Sequence, residues 1–283
     1  MPRKITADPD MDESELLFTD ILGCDRVSLY LNKSRLLGKD AGARISRVLK
    51  KRIQGEPLEY ILGKTEFMGL EFKVTPDVLI PRPDTEILVE TVLQLIKERY
   101  GPGMASGTLN ILEIGAGSGC IAVALAKYLP QSRIIAVDIS QKALDIAGEN
   151  SRLNGVDRNI DFVRADLFDS RRIKQAGYDI IVSNPPYVGT AEIPGLAPEV
   201  RCQPEIALYA GEEGLDIYRR LIPQSADYLK PGGLLCLEIG YSQMDRVKEI
   251  FRSVEKFAVK RTVKDYNNIE RVILARLNDS ALS

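Results

Sequence analysis

Four consecutive residues, Asn184-Pro185-Pro186-Tyr187, have the types and order needed to hold a flat amino group. They follow the apolar run 179–183, which predicts a buried parallel strand that the two prolines must end. Proline fixes its own φ and restricts the residue before it, so the carbonyls of Asn184 and Pro185 point in defined directions. The Asn184 side-chain oxygen and the Pro185 carbonyl can then accept the two hydrogens of an –NH2 group, with the Tyr187 ring over its face. This pattern predicts binding of an amide or exocyclic amine.

The same four residues also suit a plain turn that ends a strand, because Asn and Pro are common in turns. A second motif, upstream, favours the functional interpretation. A predicted strand at 111–114 runs into a glycine-rich loop whose candidate cofactor-binding residues are Glu113, Gly115, Ala116, Gly117, Ser118 and Gly119. Glycines let the chain turn sharply and let a ligand approach the backbone. The spacing is G-x-G-x-G and not G-x-G-x-x-G, which weakens the case for a dinucleotide.

Two acids follow the next two predicted strands. Asp138 ends the second strand, where a carboxylate can accept hydrogen bonds from both hydroxyls of a ribose. Asp166 ends the third strand and can accept from an adenine amino group, with Leu167 against the ring. Each acid could instead cap the helix that follows it. Three such features in order on successive strand ends favour an adenosyl cofactor, and we expect Asn184 to contact the cofactor as well as the substrate.

The elements that position these residues form a regular alternation from Asn110 onward. It predicts an α/β fold, a doubly wound parallel sheet completed by an antiparallel edge pair to seven strands. The predicted strands are 111–114, 134–137, 160–163, 179–182, 234–239, 258–263 and 271–277, and the predicted helices are 119–129, 141–153, 214–229 and 242–254. The tail after Leu277 is polar, and we expect it to fray.

A helical part precedes the sheet. Residues 1–25 carry seven acids, including Asp8 and Asp10, and predict an acidic amphipathic helix. Residues 26–52 carry nine basic residues and one acid, and the spacing of Ile45, Val48, Leu49 and Ile53 predicts one basic helix that ends at 54–55. Its charge suits a solvated face better than a dedicated nucleic-acid patch.

A linker region joins the two parts. Residues 66–80 alternate weakly and predict a short hairpin, and Asp84 is the predicted N-cap of a helix that runs to about Tyr100, with Glu86 in its first turn. We expect three regions: a helical recognition domain at 1–75, a hairpin linker at 66–82 and a catalytic domain at 83–283.

Composition excludes several classes of function. The chain has 283 residues, 45% of them hydrophobic, a formal charge of -2 and a pI near 5.6, so it can bury a large core and lacks a global nucleic-acid signature. It has no histidine, which excludes His-based catalysis and most zinc sites, and we expect no metal. Its four cysteines form no Cys-x-x-Cys pair, so we expect free thiols in a reducing compartment. Without a signal core or an apolar span, we expect a cytoplasmic protein.

The glycine loop, the acid after the second strand and Asn-Pro-Pro-Tyr after the fourth together resemble class I S-adenosylmethionine-dependent methyltransferases. The resemblance implies S-adenosyl-L-methionine as cofactor, S-adenosyl-L-homocysteine as product and an amino group as the methyl acceptor. Asn-Pro-Pro-Tyr is similar to the motifs of DNA adenine-N6, RNA guanine-N2 and protein-glutamine N5 methyltransferases alike, since all three present a planar –NH2.

Three further stretches, 56–63, 67–69 and 78–86, look like the PrmC/HemK family of release factor glutamine methyltransferases. This resemblance covers nearly the whole chain, and the chain departs from the family pattern only in residues 1 to about 25 and in the tail. It implies N5-methylation of the glutamine in the Gly-Gly-Gln motif of class 1 peptide chain release factors, with the N-terminal domain gripping the factor.

Two alternatives stay open from the residues alone. A DNA adenine-N6 methyltransferase would need to flip its base and carry a basic reading region, and only 26–52 is notably basic. A non-catalytic adaptor for translation factors is disfavoured by the intact Asn184 and Gly115. For the enzyme we expect a monomer with no stable nucleic-acid complex and no membrane association.

Overall fold

Helices and strands follow one another through the part of the chain that the computed structural model describes, residues 11–32, 34, 36–101 and 108–278. The strands are β1 Lys64–Phe67, β2 Leu70–Lys73, β3 Asn110–Ile114, β4 Arg133–Asp138, β5 Ile160–Arg164, β6 Tyr178–Ser183, β7 Leu229–Glu238, β8 Phe257–Lys264 and β9 Glu270–Leu277. The helices are α1 Glu13–Leu22, α2 Arg26–Leu31, α3 Lys39–Ile53, α4 Leu58–Leu62, α5 Pro83–Tyr100, α6 Cys120–Tyr128, α7 Gln141–Leu153, α8 Pro198–Arg201, α9 Asp216–Tyr228 and α10 Met244–Val254. Single turns of 3-10 helix lie at Asp157–Asn159, Ile193–Gly195 and Glu205–Ala207.

Seven of the strands form one sheet in the order β5-β4-β3-β6-β7-β9-β8. The five strands β5, β4, β3, β6 and β7 pair in parallel, whereas β9 runs antiparallel to both β7 and β8. The predicted doubly wound sheet with an antiparallel edge is therefore confirmed. The strand order reverses between β3 and β6, and the crevice at the carboxyl ends of such a pair is where open α/β sheets bind ligands.

The apolar strands bury both faces of this sheet. Ile111 packs on one side with α5 and α6, and Leu112, the next residue, packs on the other side with α9 and α10. Each fully buried Leu, Ile or Phe side chain contributes about 1.5–3 kcal/mol. The two layers of helices fix the strand ends, and therefore the loops that follow them, in place.

The N-terminal helices have a small core of their own, which Leu17, Ile21, Ile45 and Leu58 form. The acidic helix within 1–25 is confirmed as α1, although Asp8 and Asp10 lie outside the described residues. The single basic helix predicted for 26–52 is wrong: two helices, α2 and α3, occupy this region, and α3 starts after Gly38.

Helix α3 leaves some of its apolar residues exposed, because the small N-terminal core has no room for all of them. The small core accepts Ile45 and Val48, so Leu49 and Ile53, on the same predicted stripe, stay 45% and 86% exposed.

The linker differs from its prediction in two details. The hairpin pairs residues 64–73, and not 66–80, because Val74, Val78 and Ile80 are buried against α7 instead of pairing. The N-cap of α5 is Arg82, and not Asp84, since Pro83 takes the first helical position, where its missing N–H costs nothing.

One further prediction is confirmed, some observed elements were not predicted, and the predicted tail lies outside the described residues. Glu86 lies in the first turn of α5, as expected. Helix α8 and the 3-10 turns have no counterpart among the predicted elements. The tail beyond Asn278 lies outside the described residues, and within the described ranges no helix has the length and apolarity to cross a membrane.

Candidate active site

A cavity of about 250 Å³ opens at the crevice between the ends of β3 and β6. Most of the predicted site residues line it together: Gly115, Ala116, Gly117, Ser118, Asp138, Asp166, Leu167, Asn184, Pro185 and Pro186. Three predicted site residues, Glu113, Gly119 and Tyr187, do not line it. Residues far apart in sequence thus meet at one edge of the sheet, as the strand pattern predicted.

The glycine loop between β3 and α6 turns only because it is glycine-rich. Gly115, Gly117 and Gly119 have φ of 80°, 54° and 79°, in the left-handed region that side chains disfavour. The N–H groups of Gly115 and Ala116 both donate to the carbonyl of Val137, at 2.8 and 2.9 Å, which fastens the loop to the neighbouring strand. The loop therefore presents backbone without Cβ atoms to the cavity.

Glu113 lies beneath this loop and is completely buried. Its Oε2 accepts a hydrogen bond of 3.0 Å from the N–H of Ala122, in the first turn of α6, while Oε1 is buried with no partner among the described residues. Burial raises the pKa of this carboxyl well above its usual range. Glu113 therefore supports the start of α6 and does not itself line the cavity.

Asp138 ends β4 and faces the glycine loop. Its Oδ2 accepts from the N–H of Gly117 and its Oδ1 from the N–H of Ser140, each at 2.8 Å. Burial raises the pKa of Asp138, and these two backbone donors oppose that shift. A carboxylate offers about four acceptor positions, so the fixed oxygens can still accept from a ligand's hydroxyls.

Asp166 and Leu167 lie two residues or more beyond the end of β5 and bound the far side of the cavity. Asp166 Oδ2 accepts a hydrogen bond of 2.7 Å from Arg220, and both side chains are 47% exposed. Exposed pairs of this kind contribute little stability, so a ligand donor can compete for Asp166. Leu167 is buried, with a φ of 52°.

Asn184 and Pro185 stand next to the glycine loop at the end of β6. Ser183 Oγ donates to the carbonyl of Ile114 at 2.6 Å, and the Asn184 carbonyl lies 3.7 Å from where a Cβ on Gly115 would be. The Asn184 Nδ2 group donates to Thr85 Oγ1 at 3.0 Å. Among the described residues, no hydrogen bond uses Asn184 Oδ1 or the Pro185 carbonyl. Both residues line the cavity next to Thr85 of α5, and both acceptors are available to a ligand.

Tyr187 points away from the cavity. Its ring lies against Gly240, where an added Cβ would be 2.8 Å from Tyr187 Cδ2, and its hydroxyl is 3.5 Å from Glu238 Oε1. Burial raises the pKa of Tyr187, and the nearby Glu238 carboxyl adds to the shift. The expected cover of a substrate amide by this ring remains a prediction.

Comparison with known proteins identifies the family. The protein-family model described as "Methyltransferase small domain" matches residues 85–198, and the family model "PrmC N-terminal domain" matches residues 6–63. A release factor glutamine methyltransferase of Geobacter sulfurreducens is 42% identical over 94% of this chain and 89% of its own length. One from Moorella thermoacetica is 42% identical over 93% and 90%. The chain belongs to the release factor glutamine methyltransferase family.

Membership in this family confirms the resemblance read from the sequence and makes the chain a methyltransferase. A solved structure of the hMettl16 catalytic domain in complex with the MAT2A 3'UTR hairpin 1 is 18% identical, with a TM-score of 0.59 over 76% of each chain. At that identity the likeness concerns the fold alone, which agrees with the seven-stranded sheet.

The family implies S-adenosyl-L-methionine as methyl donor, and the residues present fit it. The loop at Gly115 and Gly117 leaves room for a ligand close to the backbone. Asp138 holds fixed acceptors beside that loop, and Val137, Ala165 and Leu167 give the cavity an apolar wall suited to a base. When bound, the cofactor supplies an electrophilic methyl group.

Three residues of the site were not singled out from the sequence. Thr85 and Arg82 line the cavity from the start of α5, and Glu238 lies behind Thr85 at the end of β7. The stretch 78–86 carried a signal, since it supported the family resemblance. For Glu238 the only available signal was a single acid inside an apolar strand.

Proposed function

We propose that this chain transfers the methyl group of S-adenosyl-L-methionine to N5 of the glutamine in the Gly-Gly-Gln motif of class 1 peptide chain release factors, with S-adenosyl-L-homocysteine as product. One observation carries the proposal. Asn184 Oδ1 and the Pro185 carbonyl stand without intramolecular partners, among the described residues, at the wall of the cavity that the glycine loop also lines. A primary amide has two N–H donors in one plane and suits such a pair of acceptors.

The residues act by position and not as strong bases. Resonance withdraws the lone pair of an amide nitrogen, so the chief requirement is to hold that nitrogen in line with the methyl group. Asn184 and Pro185 fix the amide plane through its two hydrogens. As acceptors they also favour the positive charge that develops on nitrogen during the transfer.

The remaining regions have proposed roles in the same reaction. The helical part at 1–75 grips the release factor, 66–82 links it to the rest, and 83–283 carries out the transfer. Exposed apolar side chains support the first role, among them Leu31, Leu36 and Ile53. Four free cysteines support a reducing compartment, and we propose that the enzyme works in the cytoplasm as a monomer, without a metal or nucleic acid.

A methylation assay tests the function. Purified enzyme and labelled S-adenosyl-L-methionine are mixed with a release factor that has Gln in its Gly-Gly-Gln motif, with the same factor bearing Glu there, or with duplex DNA. We expect label only in the Gln form, at N5, since Glu offers no –NH2 group.

The variant Asn184→Ala provides the second arm. We expect transfer to fall by about 100-fold or more, which is the size of effect seen when one preorganised group at a reacting centre is removed, while cofactor binding is retained. Label in DNA, or equal labelling of the Gln and Glu forms, would contradict the proposed substrate. Unchanged turnover in the variant would contradict the role of Asn184.

A further inference from the structure

A chain of hydrogen bonds runs from Asn184 into the core behind the cavity. Asn184 Nδ2 donates to Thr85 Oγ1 at 3.0 Å, and Thr85 Oγ1 donates to Glu238 Oε2 at 2.7 Å. Glu238 is 1% exposed and lies at the end of β7, while Thr85 is in the first turn of α5. The three residues are thus supplied by three separate elements that meet behind the substrate position.

The order of donors in this chain decides which way the Asn184 amide faces. A threonine hydroxyl has one proton, and an ionised Glu238 can only accept, so the Thr85 proton goes to Glu238. Thr85 then offers only lone pairs to Asn184, and the group that meets them must be –NH2. The opposite atom, Oδ1, is left for the substrate.

We propose that Glu238 and Thr85 are positioning residues, which act through Asn184 to aim its Oδ1 at the –NH2 group of the methyl acceptor. The inference rests on the proposed function, because it assumes a primary amide as acceptor. If Glu238 took up a proton it could donate to Thr85, whose own proton would turn toward Asn184. The Asn184 amide would then be drawn into the flipped orientation, with –NH2 facing a substrate –NH2.

The surroundings of Glu238 make such a protonation accessible near neutral pH. Burial raises its pKa to about 7, and the hydrogen bond from Thr85 opposes the shift. The charged and titratable groups that face it from the packed elements are Asp84, Arg271, Tyr187, Tyr218 and Cys120. Arg271 favours the ionised form and Asp84 disfavours it.

The test compares three threonine variants under the release factor assay. Thr85→Val removes the hydroxyl at nearly constant shape, and Thr85→Ser keeps it. Thr91→Val removes a buried hydroxyl of the same helix, whose one hydrogen bond within the described residues goes to the carbonyl of Ile87. We expect Thr85→Val to lower kcat by about 10- to 100-fold, the loss that corresponds to a hydrogen bond with a charged group. Thr85→Ser should recover most of it, and Thr91→Val should stay near wild type.

Two further measurements separate positioning from a structural role. The Kd for S-adenosyl-L-methionine and the Tm should differ little between Thr85→Val and Thr91→Val. In wild type, kcat should rise with pH through about 7, following Glu238, and Glu238→Gln should remove this limb, because the Gln oxygen still accepts from Thr85 but does not titrate.

The outcomes distinguish this inference from the function on which it rests. A wild-type enzyme that leaves the Gly-Gly-Gln glutamine unmodified would overturn the proposed function. If wild type methylates it but Thr85→Val keeps full kcat, or Thr85→Ser is as impaired as Thr85→Val, the positioning role is overturned and the function stands. If kcat of Glu238→Gln still rises with pH through about 7, the positioning role of Glu238 is overturned.

Discussion

At the scale of single residues, the site has hydrogen-bond acceptors at the cavity wall, Asn184 Oδ1 and the Pro185 carbonyl, and buried carboxyl groups in the core next to it. Glu113 and Glu238 both lie at or near the carboxyl ends of strands, and burial raises the pKa of each. A buried carboxylate is costly unless it is paired or hydrogen-bonded. Glu238 accepts a hydrogen bond from Thr85, yet burial still raises its pKa to about 7, so the ionised carboxylate lowers the stability of the fold at the pH where its charge orients Thr85.

This cost gives a prediction for stability. The folded-state pKa of Glu238, about 7, is above its ordinary value of 4.5. The folded state therefore binds the Glu238 proton more tightly than the unfolded state does. The stability that comes from this protonation is fully present below pH 4.5 and is lost as pH rises through 7. The variant Glu238→Gln does not lose this stability, because the Gln side chain does not titrate. We expect the free energy of unfolding of Glu238→Gln, relative to wild type, to increase by about 2 to 3 kcal/mol between pH 5 and pH 8.

Urea unfolding at the two pH values measures the difference. The exposed Glu249, for which no hydrogen bond or ion pair is found among the described residues, supplies the control variant Glu249→Gln. Its unfolding free energy should track wild type at both pH values. A constant gap between Glu238→Gln and wild type would show that Glu238 does not titrate in this range.

The sequence predicted the residues at the cavity wall better than those behind them. Asn184 and Pro185 could be found because prolines after an apolar run mark a strand end. Glu238 and Thr85 are separated by 153 residues, and their contact depends on β7 lying next to β6 in the sheet. Single-sequence patterns fix which residues end strands, whereas hydrogen bonds between distant strand ends follow from the strand order.

At the scale of elements, the glycine loop couples the cofactor side to helix packing. Gly119 has a φ of 79°, and a Cβ there would lie 2.9 Å from the Cβ of Ala147 in α7. Gly117 also has a positive φ, of 54°, but an added Cβ would meet nothing within 4 Å. The two glycines therefore separate backbone strain from steric clash.

We expect Gly119→Ala to destabilise the fold more than Gly117→Ala. Both variants force a side chain into the left-handed region, at about 1 kcal/mol or more, and only Gly119→Ala must also push α6 away from α7. Overpacking of this kind adds about 1–3 kcal/mol. Chemical denaturation of both variants gives the comparison, and equal losses would mean that the α6–α7 contact yields without cost.

Element boundaries were predictable where one physical signal dominated. The strands from β3 to β9 and the helices α6, α7 and α10 appear near their expected positions, because apolar runs and turn residues agree there. Helix α5 starts earlier than predicted since Pro83 outweighs Asp84 as a start signal. For residues 26–52, charge and spacing predicted one helix, whereas the structure has two, α2 and α3, and α3 starts only after Gly38.

At the scale of the whole molecule, the helical part contacts the catalytic part beside the cavity. Arg52 of α3 donates to Glu199 of α8 at 2.8 Å, and the Cys202 thiol lies 3.6 Å from the Gly55 carbonyl. Residues that follow α8, among them Pro204 and Ile206, line the cavity. The end of α3 is thus held next to α8, and the residues that follow α8 line the cavity.

Ile53, at the end of α3, is the exposed apolar residue that we expect a protein substrate to contact, if the helical part grips it. Ile53 is 86% exposed and contributes little to the small N-terminal core, so Ile53→Ser should leave the free energy of unfolding nearly unchanged. If the helical part grips the release factor, the loss of a buried apolar contact of about 1–2 kcal/mol should raise KM for the intact factor by about 5- to 30-fold. The kcat at saturating factor should stay near wild type.

Two comparisons make the prediction specific. A short peptide that contains Gly-Gly-Gln reaches the cavity without the helical part, so its kinetics should not respond to Ile53→Ser. Leu153, at the end of α7, is 55% exposed, and Leu153→Ser should leave KM for the intact factor unchanged. An unaltered KM in Ile53→Ser would place the grip elsewhere on the helices, and an equal rise with the peptide would mean that the substitution disturbs the cavity itself.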